Sequence, residues 1–262
     1  MRMPDARVRL GRAEFALGPA ELAPALLGAV LVRALPTGQR LAGVIVETEA
    51  YLGVRDRAAH SFGGRRTARV EPMYAAPGTA YVYFTYGMHH CMNVVCGEVG
   101  EPVAVLLRAL APVEGLDAMR RFRGAKAERE LCSGPGKLCQ ALAIDRSLSG
   151  VDLTSSDEVW IEAGVRVRPR DVVRSPRVGV SYAGAWAARL LRFSVRGNES
   201  VSVMPRERVN RTGSQSKPDR TREAARSSSS QARKTRGKAG RGSSVSGEEK
   251  SSKGGSDERG GP

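Results

Sequence analysis

Aromatic side chains are scarce in this 262-residue chain: six Tyr, five Phe and two Trp amount to 5% of it. Histidine is scarcer, at three residues, and cysteine is confined to Cys91, Cys96, Cys132 and Cys139. Four residues separate the first cysteine pair and six the second, spacings that match no CxxC template for zinc or redox chemistry. Reduced structural thiols are therefore expected. No run of about 18 apolar residues occurs, and Met1–Leu10 is charged where a secretory leader would turn apolar. Neither a membrane span nor a signal peptide is expected, and the reading is a cytoplasmic protein. Acidic residues are also in deficit: 27 Asp and Glu face 42 Lys and Arg, a net charge of +15. A polyanionic partner suits that balance, nucleic acid being the most abundant, although acidic small molecules would suit it too.

From Pro205 to Pro262 there is no Phe, Trp, Tyr, Leu or Ile, and 15 basic against 7 acidic residues leave a net +8. Such a segment buries too little apolar surface to offset its ordering entropy. Residues 205–262 are expected to form a disordered basic tail, rich in Ser, Gly, Arg and Lys. It either raises affinity for a polyanion through counterion release or serves only as a solubilising tail. Residues 1–204 suffice for one domain.

Within that domain, apolar Leu22, Ala25, Leu26 and Val30 predict a helix from about Pro19 or Ala20 to Leu31. The β-branched stretch Leu41–Tyr51 predicts a buried strand whose alternation puts Glu47, Glu49 and Tyr51 on one face. A polar connection from Leu52 to Pro77 exceeds what packing requires, so it is functional or mobile. Ala80–Tyr86 reads as an aromatic strand ending at a tight turn at Gly87, with His89–Cys96 returning and Val103–Leu110 extending an antiparallel sheet. Val113–Arg123 reads as an amphipathic helix, Leu131–Ile144 holds a short one, and Val178–Ser181 with Leu191–Arg196 reads as a last strand pair. Strands are not interleaved with long helices. The fold class is thus α+β: a single domain with a curved, mainly antiparallel mixed sheet surrounded by helices.

Glu47 and Glu49 lie one strand repeat apart, so one carboxylate could be held ionised while the other acts as a base; taken alone, the plainer explanation is a solvent-facing or salt-bridged strand edge. Tyr74, Tyr81, Tyr83 and Tyr86 cluster beside the Gly87 turn. Tyrosine offers a planar face for stacking nucleobases, and an aromatic at a turn tip is poorly explained as core. His60, His89 and His90 lack a completing ligand pattern, so no metal and no cofactor are expected. Two functions can be written on these residues: a non-catalytic binder of distorted DNA, and a metal-dependent nuclease using both acids.

Ordered blocks carry more information than any of these short signals. They are VETEAYLGVRDRAAHSFGG (Val46–Gly64), PGTAYVYFTYGMHHCMNVV (Pro77–Val95), VLLRALAPVEG (Val105–Gly115), LCSGPGKLCQALAI (Leu131–Ile144) and RVGVSYAGAWA (Arg177–Ala187). Together they resemble the alkyladenine (3-methyladenine) DNA glycosylases of the mammalian type. The resemblance covers nearly all of residues 18–204 and none of the tail.

The resemblance implies an enzyme of base-excision repair that rotates an alkylated or deaminated purine out of duplex DNA and hydrolyses its N-glycosidic bond, leaving an abasic site. It implies Glu49 as the general base for water and Arg108 as the partner that holds both. It implies Tyr51, His60 and Tyr83 as walls around the flipped base, and Asn93 as the side chain that clashes with the exocyclic amine of guanine. Tyr86 corresponds to the residue inserted into the duplex, with Met88 beside it, while Arg65 and Lys137 meet phosphates. Glu47 is expected to be a structural acid. His89 and His90 depart from the aromatic residues often found at those positions. The partner is double-stranded DNA containing damaged purines, the expected state is a monomer, and the expected location is a bacterial-type cytoplasm, on the nucleoid when DNA is bound.

Overall fold

Two short helices, α1 (Arg12–Phe15) and α2 (Pro19–Ala25), open the chain. A strand, β1 (Val30–Ala34), then begins where helical spacing predicts helix as far as Leu31. Gly28 explains the difference: its φ is +90°, and a Cβ there would lie 2.0 Å from the Val165 carbonyl oxygen. Only glycine fits that approach, and the left-handed backbone turns the chain out of the helix. The computed structural model describes residues 8–124 and 126–203. They fall within one compact unit, Met1–Val209, and the tail expected at 205–262 lies outside the described residues.

The remaining strands are β2 (Arg40–Tyr51), β3 (Ala80–Thr85), β4 (His89–Val95), β5 (Ala104–Glu114), β6 (Val159–Glu162), β7 (Val172–Ser175) and β8 (Arg192–Val195). Helices α3 (Leu116–Arg123), α4 (Glu128–Leu131) and α5 (Pro135–Ala141) separate β5 from β6. The strands form one sheet in the order β3-β4-β5-β2-β1-β6, with β8 pairing β2 and β7 pairing β8. Every pairing among these strands is antiparallel, in line with the mainly antiparallel α+β fold expected from the sequence. The last strand pair uses Val172–Ser175 in place of Val178–Ser181, which leaves the sheet and leads into a 3-10 stretch at Ser181–Ala188.

One face of the sheet carries the main core. Leu22 and Leu26 from the α2 region, Met119 of α3 and Leu138 of α5 pack there with Leu31, Ile45, Met92, Leu107 and Leu110. A smaller cluster of Val70, Met73, Tyr81, Val95 and Ala104 lies apart from it, with Tyr74 and Tyr83 against it.

A bulge in β2 decides which face its acids occupy. Ile45 pairs Leu110 and Glu47 pairs Ala109, so one residue is inserted between them. Plain alternation from Ile45, a core residue, would carry Glu47 and Glu49 into the core. After the bulge Thr48 faces α2, donating through Oγ1 to the Ala23 carbonyl at 2.7 Å, and Ala50 joins the core. Glu47, Glu49 and Tyr51 are thereby turned to the other side, the re-aiming for which bulges are used beside functional sites.

All four cysteines are free and buried. Burial pushes the thiols of Cys96 and Cys132 up to about 12, and those of Cys91 and Cys139 also upward.

Candidate active site

A cavity of about 190 Å³ opens on the face away from the main core. Strand alternation builds its floor: Cys91 and Asn93 of β4 and Leu106 and Arg108 of β5 line it, while Met92, Val105 and Leu107 join the core behind. Of the residues singled out from the sequence, Tyr51, His60, Tyr83, Tyr86, Asn93 and Arg108 line this cavity together. Met88, Arg65 and Lys137 do not line it; all three side chains are exposed.

Glu49 is fully buried directly behind the cavity wall, and its three hydrogen-bonding or ionic partners all line the cavity. Tyr51 Oη donates to its Oε2 at 2.9 Å, the Val178 amide donates to Oε1 at 2.8 Å, and Arg108 Nη1 lies 3.3 Å from Oε1. Among the described residues Oε2 accepts from Tyr51 alone, leaving lone-pair capacity for one more proton. Burial raises the Glu49 pKa above the ordinary carboxylate value, and Arg108, the Val178 amide and the Tyr51 hydroxyl only partly oppose it. A carboxyl tuned upward against the wall of a cleft has the character of a general base.

Glu47, also fully buried, is occupied differently. Its Oε1 accepts from Arg108 Nε at 3.1 Å and Arg192 Nη1 at 2.8 Å, and its Oε2 accepts from the Ser202 amide at 2.7 Å. Both Glu47 oxygens are thus committed to protein donors, and with Glu49 Oε2 alone underused there is no pair of open oxygens for a metal bridge. Among the described residues no cluster of three or more His, Cys, Asp and Glu side chains is arranged to hold an ion.

The 52–77 connection is folded into 3-10 turns at Gly53–Arg55, Phe62–Gly64 and Glu71–Tyr74. It is pinned by a fully buried ion pair between Asp56 and Arg177 and by Ser61 donating to the Pro102 carbonyl at 2.9 Å. Burial alone would raise the Asp56 pKa, but hydrogen bonds from Arg177 and two backbone amides lower it. Arg177 also stacks over the Tyr51 ring at 4.7 Å, fixing that wall. His60 shares a hydrogen bond of 2.8 Å between Nδ1 and Tyr81 Oη and meets the Tyr83 ring edge-on at 4.5 Å. Burial, then the charges of Arg69 and Arg65, lower the His60 pKa to about 4, so the ring stays neutral. Tyr81 is pushed up to about 12 by burial and stays a phenol. Asn93 donates Nδ2 to the Tyr81 carbonyl at 3.0 Å, which sets the direction of its side chain in the wall.

At the rim, Tyr86 is 81% and Met88 68% exposed at the tip of the β3–β4 hairpin. Tyr86 has φ +51°, rare for a residue with a side chain. Lys137 Nζ lies 3.2 Å from Ser133 Oγ in the first turn of α5, and Pro135 of that turn lines the cavity.

The model of the methylpurine-DNA glycosylase family matches residues 13–199. The chain belongs to that family. It is 51% identical over 209 residues to the DNA-3-methyladenine glycosylase of Homo sapiens, covering 76% of this chain and 69% of that protein. The DNA-3-methyladenine glycosylase of Mus musculus is 50% identical, over 76% of this chain and 62% of its own. A putative 3-methyladenine DNA glycosylase of Clostridium perfringens is 41% identical over 204 residues, 74% of this chain and 99% of that protein. The chain therefore spans less than two thirds of the mouse protein and nearly all of the clostridial one. As a DNA glycosylase it is a hydrolase of N-glycosidic bonds.

Several groups of this glycosylase that the cavity uses carry no residue-level signal in the sequence. Tyr182, 70% exposed, lines both the cavity and an adjoining groove formed with Arg57, Arg65 and Arg69. Arg69 stands over the Tyr83 ring at 5.2 Å. The Val178 amide and Arg177 act from the RVGVSYAGAWA block, whose only signal in the sequence was its resemblance as a block.

Proposed function

We propose that this glycosylase rotates a damaged purine out of duplex DNA into the cavity and hydrolyses its N-glycosidic bond with a water activated by Glu49. The observation that carries this reading is Glu49 itself: a buried carboxyl with raised proton affinity, one underused oxygen, and all its partners in the cavity wall. In the reaction the bond from C1′ to the purine breaks with its electron pair going to the base, so that a cationic alkylpurine leaves as the neutral base. The water oxygen bonds to C1′, and the water proton passes to Glu49 Oε2. Its charge favours the oxocarbenium-like sugar, and the product is an abasic site. Tyr51, Tyr83 and His60 hold the base by stacking and edge contacts, a cationic alkylpurine gaining about 1 kcal/mol per aromatic face. Asn93, aimed by its bond to the Tyr81 carbonyl, excludes the guanine amine. Tyr86 fills the vacated stack with Met88 beside it, and Arg65 and Lys137 meet the backbone. A monomer suffices for this site, because every group named belongs to one chain.

The test incubates DNA containing a single alkylated purine with the protein and measures alkali-labile abasic sites. Glu49→Gln is expected to bind the lesion but lose roughly 100- to 10,000-fold in turnover. Near-normal turnover in that variant would overturn the assignment, and tight binding by the wild type with no base release would favour a non-catalytic binder.

A further inference from the structure

The three nitrogens of the Arg108 guanidinium each have a different acceptor. Nε is 3.1 Å from Glu47 Oε1, Nη1 is 3.3 Å from Glu49 Oε1, and Nη2 donates to Ser202 Oγ at 3.2 Å. An arginine free to choose would grip Glu49 with two parallel hydrogen bonds. Here Glu47 and Ser202 take two of the three nitrogens, and Glu49 receives a single, longer contact. Glu47 is fixed in turn by Arg192 Nη1 at 2.8 Å and the Ser202 amide at 2.7 Å. Arg192 is anchored by donating Nε to the Pro176 carbonyl at 3.0 Å and Nη1 to the Val203 carbonyl at 2.8 Å. Glu47 and Glu49 of β2 and Ser202 therefore hold the one guanidinium of β5, and Arg192 of β8, itself held by the Val203 carbonyl, braces Glu47 behind them.

We propose that Glu47, with Arg192 and Ser202, is a positioning residue that restrains Arg108 so that Glu49 is steadied without being locked as a carboxylate. This rests on the reading of Glu49 as the base. The other groups felt by Glu49 are Tyr51 on its own strand, Tyr83 from β3, Cys91 from β4, and Arg177 and Tyr182 from the loops, while Arg192 sits opposite it in the register of β8. Glu47 is the one other carboxylate among them. Its charge raises the proton affinity of Glu49, while its hold on Nε keeps Arg108 from lowering it further.

The experiment measures kcat, KM and the pH–rate profile of excision for Glu47→Gln, Glu47→Asp and Ser202→Ala, together with Tm. Glu47→Gln is expected to lower kcat by about 10- to 100-fold, the scale of a misplaced catalytic constellation. Its acid limb should move to lower pH, because the lost charge and the released Nε both favour the Glu49 carboxylate. Glu47→Asp should restore the acid limb and part of kcat. Ser202→Ala, the mildest change, should lower kcat with KM unchanged. A fall in Tm with kcat and acid limb unaltered would overturn the proposal, leaving Glu47 a purely structural acid. Should Glu47→Gln fail to fold, wild-type kcat and acid limb in Ser202→Ala would overturn it equally. Should the wild type release no base, the reading of Glu49 falls instead. NMR titration of isotope-labelled glutamate, with Glu49→Gln assigning the signal, then decides the proposal. A Glu49 midpoint lowered in Glu47→Gln or Ser202→Ala supports it, and an unmoved midpoint overturns it.

Discussion

Burial drives Glu49 and His60 toward neutrality from opposite directions, the carboxyl upward and the imidazole downward. For His60 the consequence is a pH-dependent stability. Between its ordinary 6.5 and about 4, the unfolded chain binds a proton that the folded chain refuses. The corresponding stability is complete above 6.5 and drains away as pH falls toward 4, at most on the order of 3 kcal/mol. Replacing His60 by Phe removes the titration. Urea unfolding above and below this window should show the wild type losing more stability on acidification than His60→Phe. Equal losses would mean the ring is freely protonated in the folded state. Glu49 was legible in the sequence as one of two acids on a strand face, and the resemblance separated its role from that of Glu47. What the sequence left hidden is the donor set, since Val178, Ser202 and Arg192 reach β2 from positions more than a hundred residues away.

The β3–β4 hairpin shows what an element contributes. Its strands read correctly because Tyr81, Tyr83, Val82 and Phe84 alternate, and the turn read correctly because Gly87 follows. The left-handed backbone of Tyr86 was not legible, since nothing local favours it over a glycine there. A non-glycine residue in that conformation costs about 1–2 kcal/mol. Tyr86→Gly is therefore expected to hold or raise Tm, partly offset by the entropy glycine gains when unfolded. It should also lower excision from duplex DNA while sparing the same lesion in a single strand. Reduced excision from both would mean the ring belongs to the base pocket and is no wedge. Elsewhere the misreadings have physical causes. Helical spacing could not reveal the close approach of Gly28 to Val165, and alternation could not reveal the bulge after Ile45 that sends the acids to the cavity side. The short β6 and the shift of the last strand pair to Val172 lie in segments whose pairing depends on distant strands.

At the scale of the whole chain, a net charge of +15 divides almost evenly between residues 1–204 and the final 58, which carry +8. If the C-terminal stretch meets phosphates, removing residues 205–262 should flatten the dependence of DNA affinity on salt, by about 0.9 in the log–log slope for each phosphate that the stretch neutralises. An unchanged slope would show that it has no part in binding. The sulfur chemistry of the molecule runs the other way from its charge. A thiol attacks an electrophile as its thiolate, and here each of the four is enclosed and held protonated. Native protein should consume almost no thiol-specific dye, with Cys91 at the cavity wall reacting first, and all four should react once urea unfolds it. Methylating agents, which create the very lesions such a glycosylase removes, meet no thiolate on its surface. The enzyme is thereby shielded at its cysteines from the reagents whose lesions its family excises.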